Sequence, residues 1–368
     1  MKKLFYRLIS IILCVVLTAM SAFAAAPVEQ TVNAASAGLS AMGGKKGQLL
    51  SDSDFAAGTS MCDWSAIALA LSGSEEDYEN YCNELQKYVE EEYSKNGGLD
   101  SVKSTTYHRI SLAALALGSN PQSFGTKTDG TAINLIADGT YSFAGDSVGM
   151  QGLNGWIYAL ISLDASNAEV PQDAKFTRED MINAIVNAQE EDGGFGLIEG
   201  KSDIDITAMA LQALAPYREQ YAETVENAVT YLSKKMSDNC TFAAYGDASV
   251  ESSAQVILAL CALGIDPEAD TRFSRGSNNV LQALEYFVQA DGTYSHLADE
   301  TQGDYLATAQ TLLALTAVRN LRNGDGWIFD FTNYTGPIQN KTSVLPFAVP
   351  AIAFIALVAV VIVKKRRK

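Results

Sequence analysis

Histidine is nearly absent from this 368-residue chain, where only His108 and His296 occur. Two imidazoles leave no apparent tetrahedral zinc set, so no metal is expected. Cations are scarce as well. Setting aside the eight Lys and Arg of the two chain ends leaves 18 against 43 Asp and Glu, a formal charge near −25 for the body. Such a surface argues against nucleic acid or anionic lipid as a partner and favours solubility. Five cysteines are present, and one of them, Cys14, lies in an N-terminal apolar run. Cys240 precedes a helix that should start near Val250, and Cys261 lies about 16 Å down it at helical rise. That is beyond the reach of a disulfide. Cys62 and Cys82 sit on adjacent antiparallel helices and could meet, but buried free thiols are the preferred reading. What the chain does have is apolar material, 48% of its residues with 9% aromatic, which is enough for a packed core.

The two ends read as targeting segments. Lys2, Lys3 and Arg7 precede an apolar run from Leu8 to Leu17, and Ala22-Phe23-Ala24 has the small-x-small form of a signal peptidase site. Cys14 follows Ile12-Leu13 rather than small residues, which argues against lipidation. Ser343 to Val363 is a run of 21 residues without a charge, followed by the basic cluster Lys364 to Lys368. About 20 apolar residues span a bilayer, and basic residues stay on the cytoplasmic side. The expected order is a signal at 1–26, an extracellular domain at 27–335, a linker at 336–342, a membrane helix at 343–363 and a cytoplasmic tail at 364–368. Leu345-Pro346-Phe347-Ala348-Val349 lacks the Thr-Gly at which sortase signals are cut, so a permanent single-pass anchor is expected.

Between the ends, one pattern repeats. Six nearly uncharged helices begin near Met61, Thr105, Gly152, Asp203, Ser249 and Gly303, at intervals of roughly 45 to 55 residues that mark repeat architecture. Helices apolar all round are buried on every side, and these are too short and interrupted to cross a membrane. Charged amphipathic helices alternate with them at Glu75–Lys95, near Thr131–Ala137, and at Thr177–Glu190, Glu219–Ser237 and Ser277–Gln289. Turns such as Asp192-Gly193-Gly194-Phe195 end the outer helices, because glycine tolerates positive φ and the aromatic plugs the corner. A stretch at Val28–Met42 could supply the sixth outer helix and close an all-α (α/α)6 toroid. An open solenoid is the alternative.

The Gln-x-x-Asp-Gly-Gly-aromatic turn at Gln189 to Phe195, with weaker copies such as Gln289-Ala290-Asp291-Gly292-Thr293-Tyr294, resembles the repeat of the α/α-toroid superfamily over residues 28 to 335. That superfamily holds class II terpene cyclases, protein prenyltransferase β subunits, complement thioester domains and cobalamin carriers. Cyclases protonate their substrate with the third residue of an Asp-x-Asp-Asp-Thr-Ala motif, and Asp203-Ile204-Asp205-Ile206-Thr207-Ala208 places Asp205 there, with Ile206 departing from the pattern. Against the prenyltransferase zinc set, Asp203 matches the Asp, Asp205 replaces the Cys, and Ala307 stands where the His is expected. A Gly-Cys-x-Glu-Gln thioester sequence is absent. Cobalamin carriers close over their cofactor with a β domain for which the chain has no room after the barrel, so cobalamin is a possible ligand without support and no cofactor is expected. In overall layout the chain is similar to bacterial surface proteins with prenyltransferase-like repeats.

A site can also be read from the repeats. Aligning the inner helices on their small-residue step puts Asp63, Arg109, Asp205, Glu251 and Leu306 at one ring position, with Asn154 and Trp156 in the third repeat. Trp64, Tyr107 and Asp203 lie nearby. A polar and aromatic mixture at a concave mouth suits a small polar or amphipathic ligand. Each acid also has a plainer explanation, because Asp and Glu in a first helical turn cap free amides and meet the helix dipole. His108 reads as a packed or surface residue. The expected function is a membrane-anchored, monomeric extracellular module that binds a small molecule or a surface protein. The alternative is a terpene-cyclase-like enzyme with Asp205 as its catalytic general acid.

Overall fold

The computed structural model describes residues 28–339 except Tyr245, so the signal, the membrane helix and the tail expected at 1–26, 343–363 and 364–368 lie outside the described residues. Its helices are α1 (28–41), α2 (Ser60–Ser72), α3 (Tyr78–Asn96), α4 (Ser104–Leu117), α5 (Leu135–Gly139), α6 (Leu153–Ala165), α7 (Arg178–Val186), α8 (Ile204–Leu214), α9 (Ala222–Lys235), α10 (Val250–Ala262) and α11 (Tyr305–Asn323). None of them is long and apolar enough to cross a membrane.

The Asp-Gly-Gly-aromatic turn builds the corner between an outer and an inner helix. Gly193 takes φ +88°, which only glycine adopts without strain, and the Gly194 amide donates to Asp192 Oδ1 at 3.0 Å. The Asp203 amide then donates to the Phe195 carbonyl at 2.8 Å, and the Phe195 amide donates to Thr207 Oγ1 at 2.8 Å. Thr207 belongs to the first turn of α8, so a helix hydroxyl fixes the turn, and the Phe195 ring is fully buried beneath it. The last repeat copies this arrangement. There the Asp304 amide donates to the Tyr294 carbonyl at 2.8 Å and the Tyr294 amide to Thr308 Oγ1 at 2.9 Å.

These corners set the inner helices parallel. Helices α2, α4, α6, α8, α10 and α11 each pack against two ring neighbours, and α11 meets α2, so the ring closes on itself. Buried alanines such as Ala68, Ala113, Ala159, Ala213, Ala259 and Ala314 let the axes approach, while leucines and isoleucines fill the layer outside them. Outer helices α3, α5, α7 and α9 return the chain. Helix α9 buries Val225, Ala228, Val229 and Leu232 on one face and carries Lys234 and Lys235 in its last turn, where the helix dipole favours cations.

Helix α1 takes the sixth outer place. Its Val32, Ala35 and Leu39 are buried, and Gly38 lies so close to the last repeat that a Cβ would stand 2.9 Å from the backbone of Asp291 and Thr293. Glu29 reaches Arg319 of α11 at 3.9 Å, and Ser40 donates to the buried Glu76 carboxylate just before α3. This helix therefore bridges the last and first repeats, as a closed toroid requires.

Two outer elements depart from the sequence expectation. The stretch Ser277–Gln289 is not an α-helix but a hairpin, Ser274–Arg275 against Asn278–Asn279, followed by a 3-10 turn at Gln282–Tyr286. Asn279 caps this turn as Asp304 caps α11, its side-chain oxygen accepting from the Leu281 and Gln282 amides, yet only a 3-10 turn follows. The helix expected near Thr131–Ala137 is the short α5, capped by Asn134 through the Ala137 amide. Beyond α11 the chain crosses the C-terminal end of the ring as a strap. Ile328 and Phe329 are buried, the Tyr334 hydroxyl donates to the Ala116 carbonyl at 2.9 Å, and Gly336 lies against Gly118.

Candidate functional site

Because the inner helices are parallel, their first turns surround one mouth of the ring, and a cavity of about 380 Å³ opens there along the axis. Its lining falls into tiers separated by one helical turn. Ser60, Thr105, Asn154, Asp205 and Leu306 form the outer tier. One turn deeper, four residues further along each helix, stand Trp64, Arg109, Tyr158, Met209 and Gln310, joined by Gln255. Leu258, Leu313, Gln212 and Phe329 make the floor, while Leu197 and Asp203 enter from the turn before α8.

Asp205 carries the chemistry of the outer tier. Its Oδ1 is buried and has no hydrogen-bond partner among the described residues, and the same holds for Asn154 Oδ1 on the neighbouring α6. Burial raises the Asp205 carboxyl to about 6, the Ser252 hydroxyl holds it back, and the charges of Asp203 and Glu251 add to the rise. Helix capping does not explain Asp205. That task falls to Asp203, whose Oδ1 accepts from the Ile206 amide at 2.9 Å.

The deeper tier is polar on one side and aromatic on the other. Gln212 donates to Gln255 at 2.9 Å, and Gln255 to Gln310 at 3.2 Å, so an amide chain links the ring neighbours α8, α10 and α11 along one side of the cavity. Opposite it, Trp64 and Tyr158 pack with ring centroids 6.1 Å apart. Arg109 completes this tier, with its charge paired to Asp63. Nε donates to Asp63 Oδ2 and Nη2 to the Gly58 carbonyl, both at 2.8 Å.

Of the residues singled out in the sequence, Trp64, Arg109, Asn154, Asp203 and Asp205 line the cavity, and Asp63, Tyr107, Trp156 and Glu251 do not. Asp63 is fully buried and turned toward α3, where its Oδ1 accepts from the Tyr81 hydroxyl at 2.8 Å and the Gly58 amide at 3.0 Å. Burial pushes its carboxyl up against the pull of Arg109 and these donors. Tyr107 accepts from the Leu99 amide at 2.8 Å and fills a corner against Phe143. Trp156 fills another, edge-on to Phe176 at 5.6 Å. Glu251 stands near the mouth, where its charge reaches Asp205, but its Oε2 is held by His296 Nδ1 at 2.8 Å. His108 is a packed residue. Its Nε2 lies 2.6 Å from the Gly139 carbonyl, and burial lowers its pKa to about 4, so the ring is neutral.

The sequence reading missed Tyr158, Met209, Gln212, Gln255, Gln310 and Phe329. Most of these had a signal: a residue four places after an outer-tier position lies on the same helix face, and a glutamine inside an otherwise apolar helix needs a polar partner. Phe329 had none, since it lies beyond the last helix. Among the described residues no group of three His, Cys, Asp or Glu could hold a metal ion.

No protein-family model and no curated protein matches the sequence. A solved structure does match. Candida albicans protein geranylgeranyltransferase-I complexed with GGPP superposes with a TM-score of 0.52 at 11% identity, over 78% of this chain and 91% of that one. At that identity the likeness is one of architecture, and with the closed ring it identifies the fold of this chain as the prenyltransferase-like α/α toroid.

Proposed function

We propose that this toroid is a ligand-binding module, anchored at the cell surface by the run at 343–363 and taking a small amphipathic molecule into the axial mouth. The observation that carries this reading is the tiering of the cavity, with a polar rim of Asp205, Asn154 and Thr105 above a floor in which Leu258, Leu313 and Phe329 surround the single amide of Gln212. A volume of about 380 Å³ fits a small organic molecule, so a corrin would have to lie across the mouth rather than within it. The acidic body suits an exported monomer that avoids nucleic acid. The test is native mass spectrometry of residues 28–339 purified from their natural host, where a single small molecule should leave with mild activation. A protein that carries no such mass and shows no thermal shift with any amphiphile would end the reading.

The enzyme alternative keeps one specific support, a carboxyl at Asp205 that holds its proton up to about pH 6 beside an apolar space. It predicts proton-dependent conversion of an olefin added to the purified protein, abolished in Asp205→Asn. Binding without conversion separates the two readings.

A further inference from the structure

The outer tier of the cavity is short of a cation. Asp205 Oδ1 and Asn154 Oδ1 are two buried acceptors from adjacent helices, and neither receives a hydrogen bond from the described residues. Buried acceptors are ordinarily paired, so a pair of orphans facing one cavity points to a donor supplied from outside. Arg109 does not fill this role: it stands one turn deeper, its charge is paired with the wholly buried Asp63 through Nε, and it is not among the groups that shift Asp205.

The other groups around Asp205 are equally unable to balance it. Asp203 shares its turn and adds negative charge; Glu251 and Ser252 face it from α10, Glu251 already holding His296; Tyr158 faces it from α6 with a hydroxyl whose ionisation burial suppresses. Among the described residues no group of three His, Cys, Asp or Glu could hold a metal ion, and Asp203 Oδ1 already accepts from the Ile206 amide. Below this tier Met209, Leu258, Leu313 and Phe329 supply apolar surface beside the glutamine chain of Gln212, Gln255 and Gln310.

Resting on the reading of this cavity as a ligand site, we propose that its ligand is a cationic amphiphile: a primary amine seated between Asp205 and Asn154, with an apolar body on Met209, Leu258, Leu313 and Phe329. An ammonium has three donors and no acceptor, which matches two orphan acceptors and an uncompensated carboxylate. A carboxylate ligand would meet Asp203, Asp205 and Glu251 with the wrong sign. An alcohol could satisfy one acceptor but would leave the charge unbalanced.

Acidity provides an independent handle. With its carboxyl at about 6, Asp205 is ionised in nearly all molecules at pH 7.5 and in a small minority at pH 5. An alkylamine, with a pKa near that of lysine at about 10.4, stays charged throughout. Affinity for the amine should therefore fall about tenfold between pH 7.5 and 5, while affinity for a neutral analogue stays level.

The test uses residues 28–339, whose inner helices close their own ring, in calorimetric titrations with octylamine, 1-octanol and octanoate at both pH values. Octylamine should bind at least tenfold more tightly than 1-octanol at pH 7.5, octanoate should bind most weakly, and the amine's advantage should shrink about tenfold at pH 5. Asp205→Asn should bring octylamine down to the level of 1-octanol without moving 1-octanol itself, and Asp205→Glu should keep the preference and its pH dependence. If the three probes bind equally, the cavity takes amphiphiles but the cation inference is overturned. If none binds, the reading of the cavity falls with it. An amine preference that survives Asp205→Asn would place the ammonium elsewhere and refute the assignment.

Discussion

Asp205→Asn offers a measurement on the empty fold that needs no ligand. The native carboxyl sits at about 6 against an ordinary value of 3.8, so the folded chain holds a proton that the unfolded chain releases between about pH 4 and 6. A raised carboxyl contributes stability that is fully present below the unfolded pKa and is lost as pH rises through the folded one. That difference corresponds to about 3 kcal/mol, so above pH 6 ionised Asp205 weakens the fold by that order. The neutral isostere removes the penalty, although its amide inherits the cavity's missing partners. The expected gain is therefore about 1 to 3 kcal/mol at pH 7.5, shrinking to near zero at pH 4. Urea titrations of residues 28–339 and the variant at both pH values give the difference, in which the distant titrating acids Asp63 and Glu76 cancel, while Glu251, whose charge acts on Asp205, shares in the relief. A variant less stable than the parent at pH 7.5 would show that the Asp205 carboxylate is partnered after all, and the argument for an orphan acceptor would go with it.

Other consequences follow from the same geometry. Phe195→Ala should lower stability by about 3 to 5 kcal/mol in a denaturant titration, because the ring is fully buried beneath its corner; a loss under about 1 kcal/mol would mean the aromatic does not hold the turn. Arg109→Leu should cost about 3 to 5 kcal/mol by leaving Asp63 charged and buried without its guanidinium, and adding Asp63→Asn should restore part of the loss. All four cysteines among the described residues are buried and free, with burial raising each thiol, so a thiol reagent should label them only after unfolding. A bridged peptide holding Cys62 and Cys82 in a non-reducing digest would contradict this.

The repeat was legible in the sequence because its cause is local. A glycine that must take positive φ, an aromatic that must be buried and a threonine hydroxyl one turn into the next helix all lie within 15 residues at Gly193 to Thr207, and they fix the corner without help from the rest of the chain. Helix α1 was legible for a different reason, since a ring of six buried helices and five outer ones needs one more. The hairpin at Ser274–Asn279 was hidden because Asn279 makes the same side-chain cap as Asp304, and a cap announces a start without saying how long the helix will run.

The site was half legible, and two of its errors, Asp63 and the depth of Arg109, share one origin. Aligning the helices on their small residues assumes that Ser and Thr stand at one depth, yet Thr207 and Thr308 bond to the turn while Ser111 is buried with its hydroxyl unpartnered among the described residues. That slide placed Arg109 in the outer tier and Asp63 beside it. Depth is set by where each helix begins. Counted from the caps Lys103, Gly152, Asp203, Ser249 and Asp304, the second residue is Thr105, Asn154, Asp205, Glu251 and Leu306, and the sixth is Arg109, Tyr158, Met209, Gln255 and Gln310. In α2, capped by Thr59, the lining residues Ser60 and Trp64 come one place earlier in that count, which leaves Asp63 directed at Tyr81 instead of the axis. Three of those caps, Asp203, Ser249 and Asp304, are residue types that announce a helix start, so much of the tiering was present in the sequence once the counting began at the cap. The floor was not. Phe329 reaches the axis on a strap whose course depends on Tyr334 bonding to α4 more than 200 residues away in sequence, and a contact of that range leaves no local pattern.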